Sequence, residues 1–125
     1  MELEQIHKDM LAECAHDEVA VGHLIWRLKG GGYELDDAEF VVPNPRLLSI
    51  IKTLLGHELI EAGVFQSGSC GDHEFAPERA SAEVVVAHIE RAWNELGRAP
   101  QIGEVCWFRA TAKGKRLAIE LGLLK

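Results

Sequence analysis

The chain has few of the features that fix a function by themselves. Of its 125 residues only three are cysteines and four are prolines, so neither a disulfide framework nor a proline-rich linker organises it. Aromatic residues make up 6%. Base is in deficit, with 13 lysines and arginines against 20 aspartates and glutamates and a formal charge of −7. Long apolar runs are missing too: LLSII and EVVVAHI fall far short of the roughly 20 residues that span a bilayer. Nor does the start carry a basic segment followed by an apolar one, the pattern of a secretory leader. What is present, 47% hydrophobic and 26% charged residues, suits one globular domain over 1–125 that folds without disulfides or metal. The expectation is a cytoplasmic protein with reduced thiols and no membrane contact.

Charge is unevenly laid out. Glu2, Glu4, Asp9, Glu13, Asp17 and Glu18 face only Lys8 in the first twenty residues, and YELDDAEF adds Glu34, Asp36, Asp37 and Glu39 without a base. Bases gather late, at Arg109, Lys113, Lys115 and Arg116, with Arg46 and Lys52 standing earlier. A polyanion is repelled by a nucleic-acid backbone and attracted to cationic partners, so the acidic early segments read as a docking face or as solvated helix surface.

Periodicity predicts mostly helix. Leu3, Ile6, Met10 and Cys14 repeat at three and four, the stripe of a helix over residues 3–15. Asp17 offers an N-cap oxygen to a second helix carrying Val21, Leu24, Ile25 and Leu28, which the glycines at 30–32 end. Residues 33–42 read as an extended loop or short strand. Asn44 and Pro45 form a cap and first turn for a third helix, in which Leu47, Ile51, Leu54, Leu55, Leu59 and Ala62 recur until Gly63. A short strand follows over residues 64–67, then a turn-like tip, GSCGDHEF. Ser81 caps a fourth helix with Val85, Ile89, Trp93 or Ala92, and Leu96 on one face and Gly97 as its stop; its role as core element or dimer arm is open at this level. A strand over residues 104–110 precedes a last helix capped by Thr111.

Two segments resemble a known family. LLGHELIEAGVFQSG is similar to the end of a winged-helix recognition helix running into the first wing strand. WFRATAKGKRLA is similar to the returning wing strand with the T-x-x-G helix start, here Thr111 and Gly114, common in winged-helix regulators. The resemblance implies a mostly helical α+β fold of about five helices with a small antiparallel hairpin, and it places the 81–96 helix as an insertion within the wing. It also implies a DNA-reading surface made of Asn44, Arg46, Ser49, Lys52 and Thr53, with phosphate contacts from Arg109, Lys113 and Lys115, in a homodimeric regulator.

Chemistry is sparse. Cys70 and His73 have the spacing of half a metal site, but no second pair completes four ligands. No nucleophile elbow, phosphate-binding loop, dinucleotide fingerprint or zinc-peptidase helix occurs. No catalytic residue, metal or cofactor is therefore expected. The sequence favours a non-catalytic winged-helix-like module that binds a protein, for example an immunity or antitoxin-type protein masking a basic partner, with Asp36, Asp37, Glu39 and Trp107 as interface residues. The alternative is a DNA-binding transcription regulator using the 44–62 helix.

Overall fold

The computed structural model describes residues 3–28, 38–67, 73–101 and 104–123. In chain order they form α1 (Gln5–His16), β1 (Val19–Ala20), α2 (Val21–Leu28), α3 (Ala38–Val41), α4 (Pro45–Gly56), β2 (Ile60–Ser67), β3 (His73–Pro77), α5 (Ala82–Leu96), β4 (Trp107–Ala110) and α6 (Ala112–Glu120). The fold is α+β and mostly helical. Five helices run eight residues or more, and α3 is a single turn. The strands make one antiparallel sheet in the order β1-β4-β2-β3. No helix among the described residues is long and apolar enough to cross a membrane.

Side-chain caps set three of the helix starts. Asn44 accepts a hydrogen bond from Leu47 N, with Pro45 preset at the first helical position. Ser81 does the same for Val84 N, and Thr111 for Gly114 N. Stops differ from expectation in one important place. The third helix ends at Gly56, six residues before the predicted limit, because Glu58 adopts a left-handed φ of 59° and the turn closes on itself. Glu58 N donates to Leu55 O and Leu59 N to Leu54 O, the paired bonds of a Schellman stop, here without a glycine at the left-handed position. The chain thus leaves the helix early. Ala62, which fits a 3.6-residue period with Ile51 and Leu55, instead alternates with Ile60 at a period of two, and both point from β2 into the core.

Other expectations are corrected as well. Asp17 does not cap the second helix; it lies at the end of α1, and its carboxylate accepts Glu18 N, because β1 intervenes before α2. Residues 38–41, expected to be extended, form the turn α3. The predicted tip conceals a further strand, β3, which makes the principal hairpin with β2, and β4 is shorter than expected. The glycine stop at 30–32, Asp36, Asp37 and residues 68–72 of the tip, Cys70 included, lie outside the described residues.

The core fills the space between the helices and one face of the sheet. Met10, Leu11 and Cys14 of α1, Leu24 and Ile25 of α2, Leu47, Ile51 and Leu54 of α4, and Phe108 of β4 belong to one buried cluster. Helix α5 is part of it, not a projecting arm, since Val85, Ile89 and Trp93 are buried as α5 packs on α4. Trp93 is fully buried. Its indole Nε1 donates to the Phe40 carbonyl at 2.9 Å, which satisfies the only polar atom of the ring and ties α5 to α3.

The start of α6 explains the Thr-x-x-Gly pattern physically. Thr111 accepts from Gly114 N while its hydroxyl donates to Glu58 O at 2.6 Å, and Thr111 N donates to Leu59 O. A side chain at Gly114 would place its Cβ 1.9 Å from the Leu59 carbonyl oxygen. The glycine lets the first turn of α6 rest directly on the backbone that links α4 to β2.

Candidate interaction face on the sheet

Strand alternation sorts the sheet residues by face. Ile60, Ala62, Phe108 and Ala110 point to the core. Glu61, Gly63 and Phe65 of β2 point the other way. In register with them are Arg109 and Trp107 of β4 and Phe75 and Pro77 of β3.

Gly63 sits at the middle of this outer face. A Cβ there would lie 2.9 Å from Phe75 Cζ and 2.3 Å from the Ala76 carbonyl oxygen, so the Phe75 ring occupies the space a side chain would take. This lean across the glycine brings Phe75 beneath Arg109, whose guanidinium carbon lies 4.3 Å from the ring centroid. Phe65 completes the cluster. Its ring meets Phe75 edge-on at 5.7 Å and Trp107 edge-on at 5.2 Å, the geometry that aromatic quadrupoles favour. All three rings are half-buried.

Arg109 is held from a second direction. Its Nε donates to Glu61 Oε1 at 2.6 Å across the β2–β4 pair. The approach to β4 is also constrained. Arg98 grips Glu104 through two hydrogen bonds of 2.7 and 2.6 Å, and Gln101 N adds a third at 2.7 Å. These bonds hold the Glu104 carboxyl down at a pKa of about 2. Directly after it, Cys106 N closes a three-residue turn onto Glu104 O around Val105, whose φ is 71°. A β-branched residue in that region is strained by roughly 1–3 kcal/mol, and the strain sits at the entrance to the strand that presents Trp107 and Arg109.

Two grooves border the sheet. One, of about 740 Å³, lies between the starts of α5 and α6 and is lined by Glu58, Glu61, Glu78, Arg79 and Lys113 over an apolar floor. The other, of about 400 Å³, brings Asp17, Glu18, Glu61, Arg109 and Lys115 together beside Cys14. Among the described residues, Cys14 is the thiol at a groove edge, and it is not primed for attack. The Cys14 thiol is pushed up to about 12, first by burial and then by the Glu13 charge, and burial does the same to Cys106. Among the described residues, no three histidine, cysteine or acidic side chains gather as a metal site.

The residues expected to read DNA are brought together only in subsets: Arg46, Ser49 and Lys52 on α4, and Arg109 with Lys115 in the smaller groove. Asn44 is engaged as a cap, and the Thr53 hydroxyl is turned to Ser49 O at 3.0 Å. Arg46, Ser49 and Lys52 are exposed along one stripe of α4, a helix that buries Leu47, Leu48, Ile50, Ile51 and Leu54 and carries α5 along its side. Arg109 belongs to the sheet face. Lys113 and Lys115 line different grooves, each among carboxylates. Of the expected protein-interface residues, Trp107 is in the aromatic cluster; Glu39 lies in α3 with its side chain outside the described residues, as are Asp36 and Asp37. The sequence does not mark Glu61, Gly63, Phe65 and Phe75 as interface residues. The alternation Glu61-x-Gly63-x-Phe65 is the available signal, and a boundary at Gly63 between a predicted helix and a predicted strand divides it.

No family model, curated protein or solved structure matches this chain in comparison.

Proposed function

We propose that the chain is a non-catalytic binding module of winged-helix-like organisation whose ligand is a protein of basic character, in the manner of an immunity or antitoxin-type mask. The observation that carries this reading is the outer sheet face, where Phe65, Phe75 and Trp107 surround Gly63 with Arg109 fixed among them. Rigid aromatic rings beside arginine are the composition of interface cores, because they bury large areas at little cost in side-chain entropy. The surplus of carboxylates suits long-range attraction of a cationic partner. The winged-helix part draws support from the sheet order β1-β4-β2, from α4 leading into β2, and from the Thr111–Gly114 start of α6, with β3 and α5 as the inserted portion. The free thiols of buried Cys14 and half-buried Cys106 are compatible with a reducing cytoplasm.

The test is capture of partners from a cell extract at low and high salt, with Trp107→Ala/Phe65→Ser as the control variant. A basic protein retained at low salt, released by salt and not held by the variant is the expected result. Equal retention by the variant, or none by the parent, refutes the reading.

A second reading, a DNA-binding regulator acting as a homodimer, is favoured by one feature. Helix α4 contains no acidic residue and exposes Arg46 and Lys52. Salt-dependent polarisation titrations with duplex DNA decide it: specific binding abolished by Arg46→Ala/Lys52→Ala would make it the better account.

A further inference from the structure

We infer that Arg109 is a pre-organised receptor for a single carboxylate that lies next to an apolar group, and that an acidic side chain of the protein partner fills it. The inference rests on the protein-binding reading only for the source of the carboxylate. Two contacts hold the guanidinium, Nε to Glu61 at 2.6 Å and Cζ over the Phe75 ring at 4.3 Å from its centroid. Neither uses the terminal nitrogens. Among the described residues Nη1 and Nη2 have no hydrogen-bond partner, and the side chain remains 37% exposed. A guanidinium presents its donors as a fork that matches the two oxygens of a carboxylate, and fixing the plane beforehand removes much of the rotamer entropy lost on binding.

The surroundings set the ligand class. Phe65 and Trp107 offer aromatic edges on the same face, which suits a carboxylate with an aliphatic or aromatic neighbour. Glu61, touching Arg109, and Asp17 and Glu18, lining the same groove, oppose anions in proportion to their charge. A dianionic phosphate is therefore disfavoured relative to a monoanionic carboxylate. The acidic rim and the cationic fork act at different ranges: the rim attracts a basic protein over nanometres, and the fork takes one of its acids at contact.

Benzoate is a suitable probe, with benzamide as its uncharged counterpart and inorganic phosphate as its dianionic one. NMR signals of the Arg109 guanidinium and the Trp107 indole report binding in the intact chain. Benzoate is expected to shift both signals saturably at millimolar concentration, benzamide and phosphate to do so at least about tenfold more weakly, and Arg109→Lys, which keeps the charge paired with Glu61, to weaken benzoate about tenfold. Folding of the variant is checked by the dispersion of its amide spectrum, and Phe75→Leu, which removes the stacking surface, gives an independent loss. Equal shifts from benzoate and benzamide, tighter binding of phosphate, or an unaffected Arg109→Lys protein overturns the proposal. Because the probe needs no protein partner, failure here is separable from failure to capture one.

Discussion

Replacing Gly63 with alanine tests the construction of the sheet face most directly. The new Cβ would stand 2.3 Å from the Ala76 carbonyl oxygen, where ordinary contact begins at 3.4 Å. Strands β2 and β3 would have to separate locally by about 1 Å, and backbone gives way less readily than a side-chain end. Overpacking of this kind costs about 1–3 kcal/mol. Displacing the Phe75 ring from beneath Arg109 removes about 0.5–1 kcal/mol more, while alanine regains about as much through lower unfolded-state entropy. The net loss is therefore about 2 kcal/mol. For 125 residues the unfolding entropy makes each kcal/mol worth about 4 °C, so Tm should fall by about 8 °C in a thermal melt followed by circular dichroism. Gly56→Ala is the contrasting control. Nothing lies within 4 Å of its Cβ, and it sits in the last turn of α4, so alanine should raise Tm by about 2–4 °C. A Gly63→Ala protein melting within about 2 °C of the parent would refute the close-approach argument, whatever the control does.

Gly114→Ala should destabilise the fold by more than about 2 kcal/mol, since its Cβ meets Leu59 O at 1.9 Å, and denaturant unfolding measures it. Thr111→Val, which keeps the shape but loses the cap, should cost about 1 kcal/mol in the same assay. The Arg98–Glu104 clip should depend on acid. Glu104 has its folded pKa lowered to about 2, so the stabilisation it supplies is complete above the ordinary carboxyl range and is lost as pH falls through that range towards about 2. Glu104→Gln should accordingly melt below the parent at neutral pH and together with it at pH about 2; a gap that persists in acid would count against the clip. Cys14 and Cys106, with thiols near 12, should resist iodoacetamide at pH about 8 in the native protein and react on unfolding, as followed by peptide mapping.

Much of the architecture was legible in one dimension. Asn44, Ser81 and Thr111 act as caps because a short side-chain oxygen satisfies an orphan amide locally, and such contacts need no knowledge of distant chain. The stripes Met10–Cys14, Val85–Ile89–Trp93 and Leu47–Ile51–Leu54 likewise face inward as their spacing requires. The charge balance, too, is fixed by composition.

What needed the folded molecule was everything decided by residues far apart in sequence. The end of α4 at Gly56 follows from Glu58 adopting a left-handed turn whose carbonyl then receives Thr111, 53 residues later; a helical and a strand period both fit Leu59 to Ala62 until that contact is made. The membership of α5 in the core rests on Trp93 reaching Phe40. The sheet face depends on three strands aligning Glu61 with Arg109 and Phe65 with Phe75 around a glycine, and cross-strand register is a property of pairing that no single strand encodes. Local hydrogen bonds and periodic burial are short-range and so were written in the chain; the neighbours that give Arg109 its orientation are long-range, and only folding could choose them.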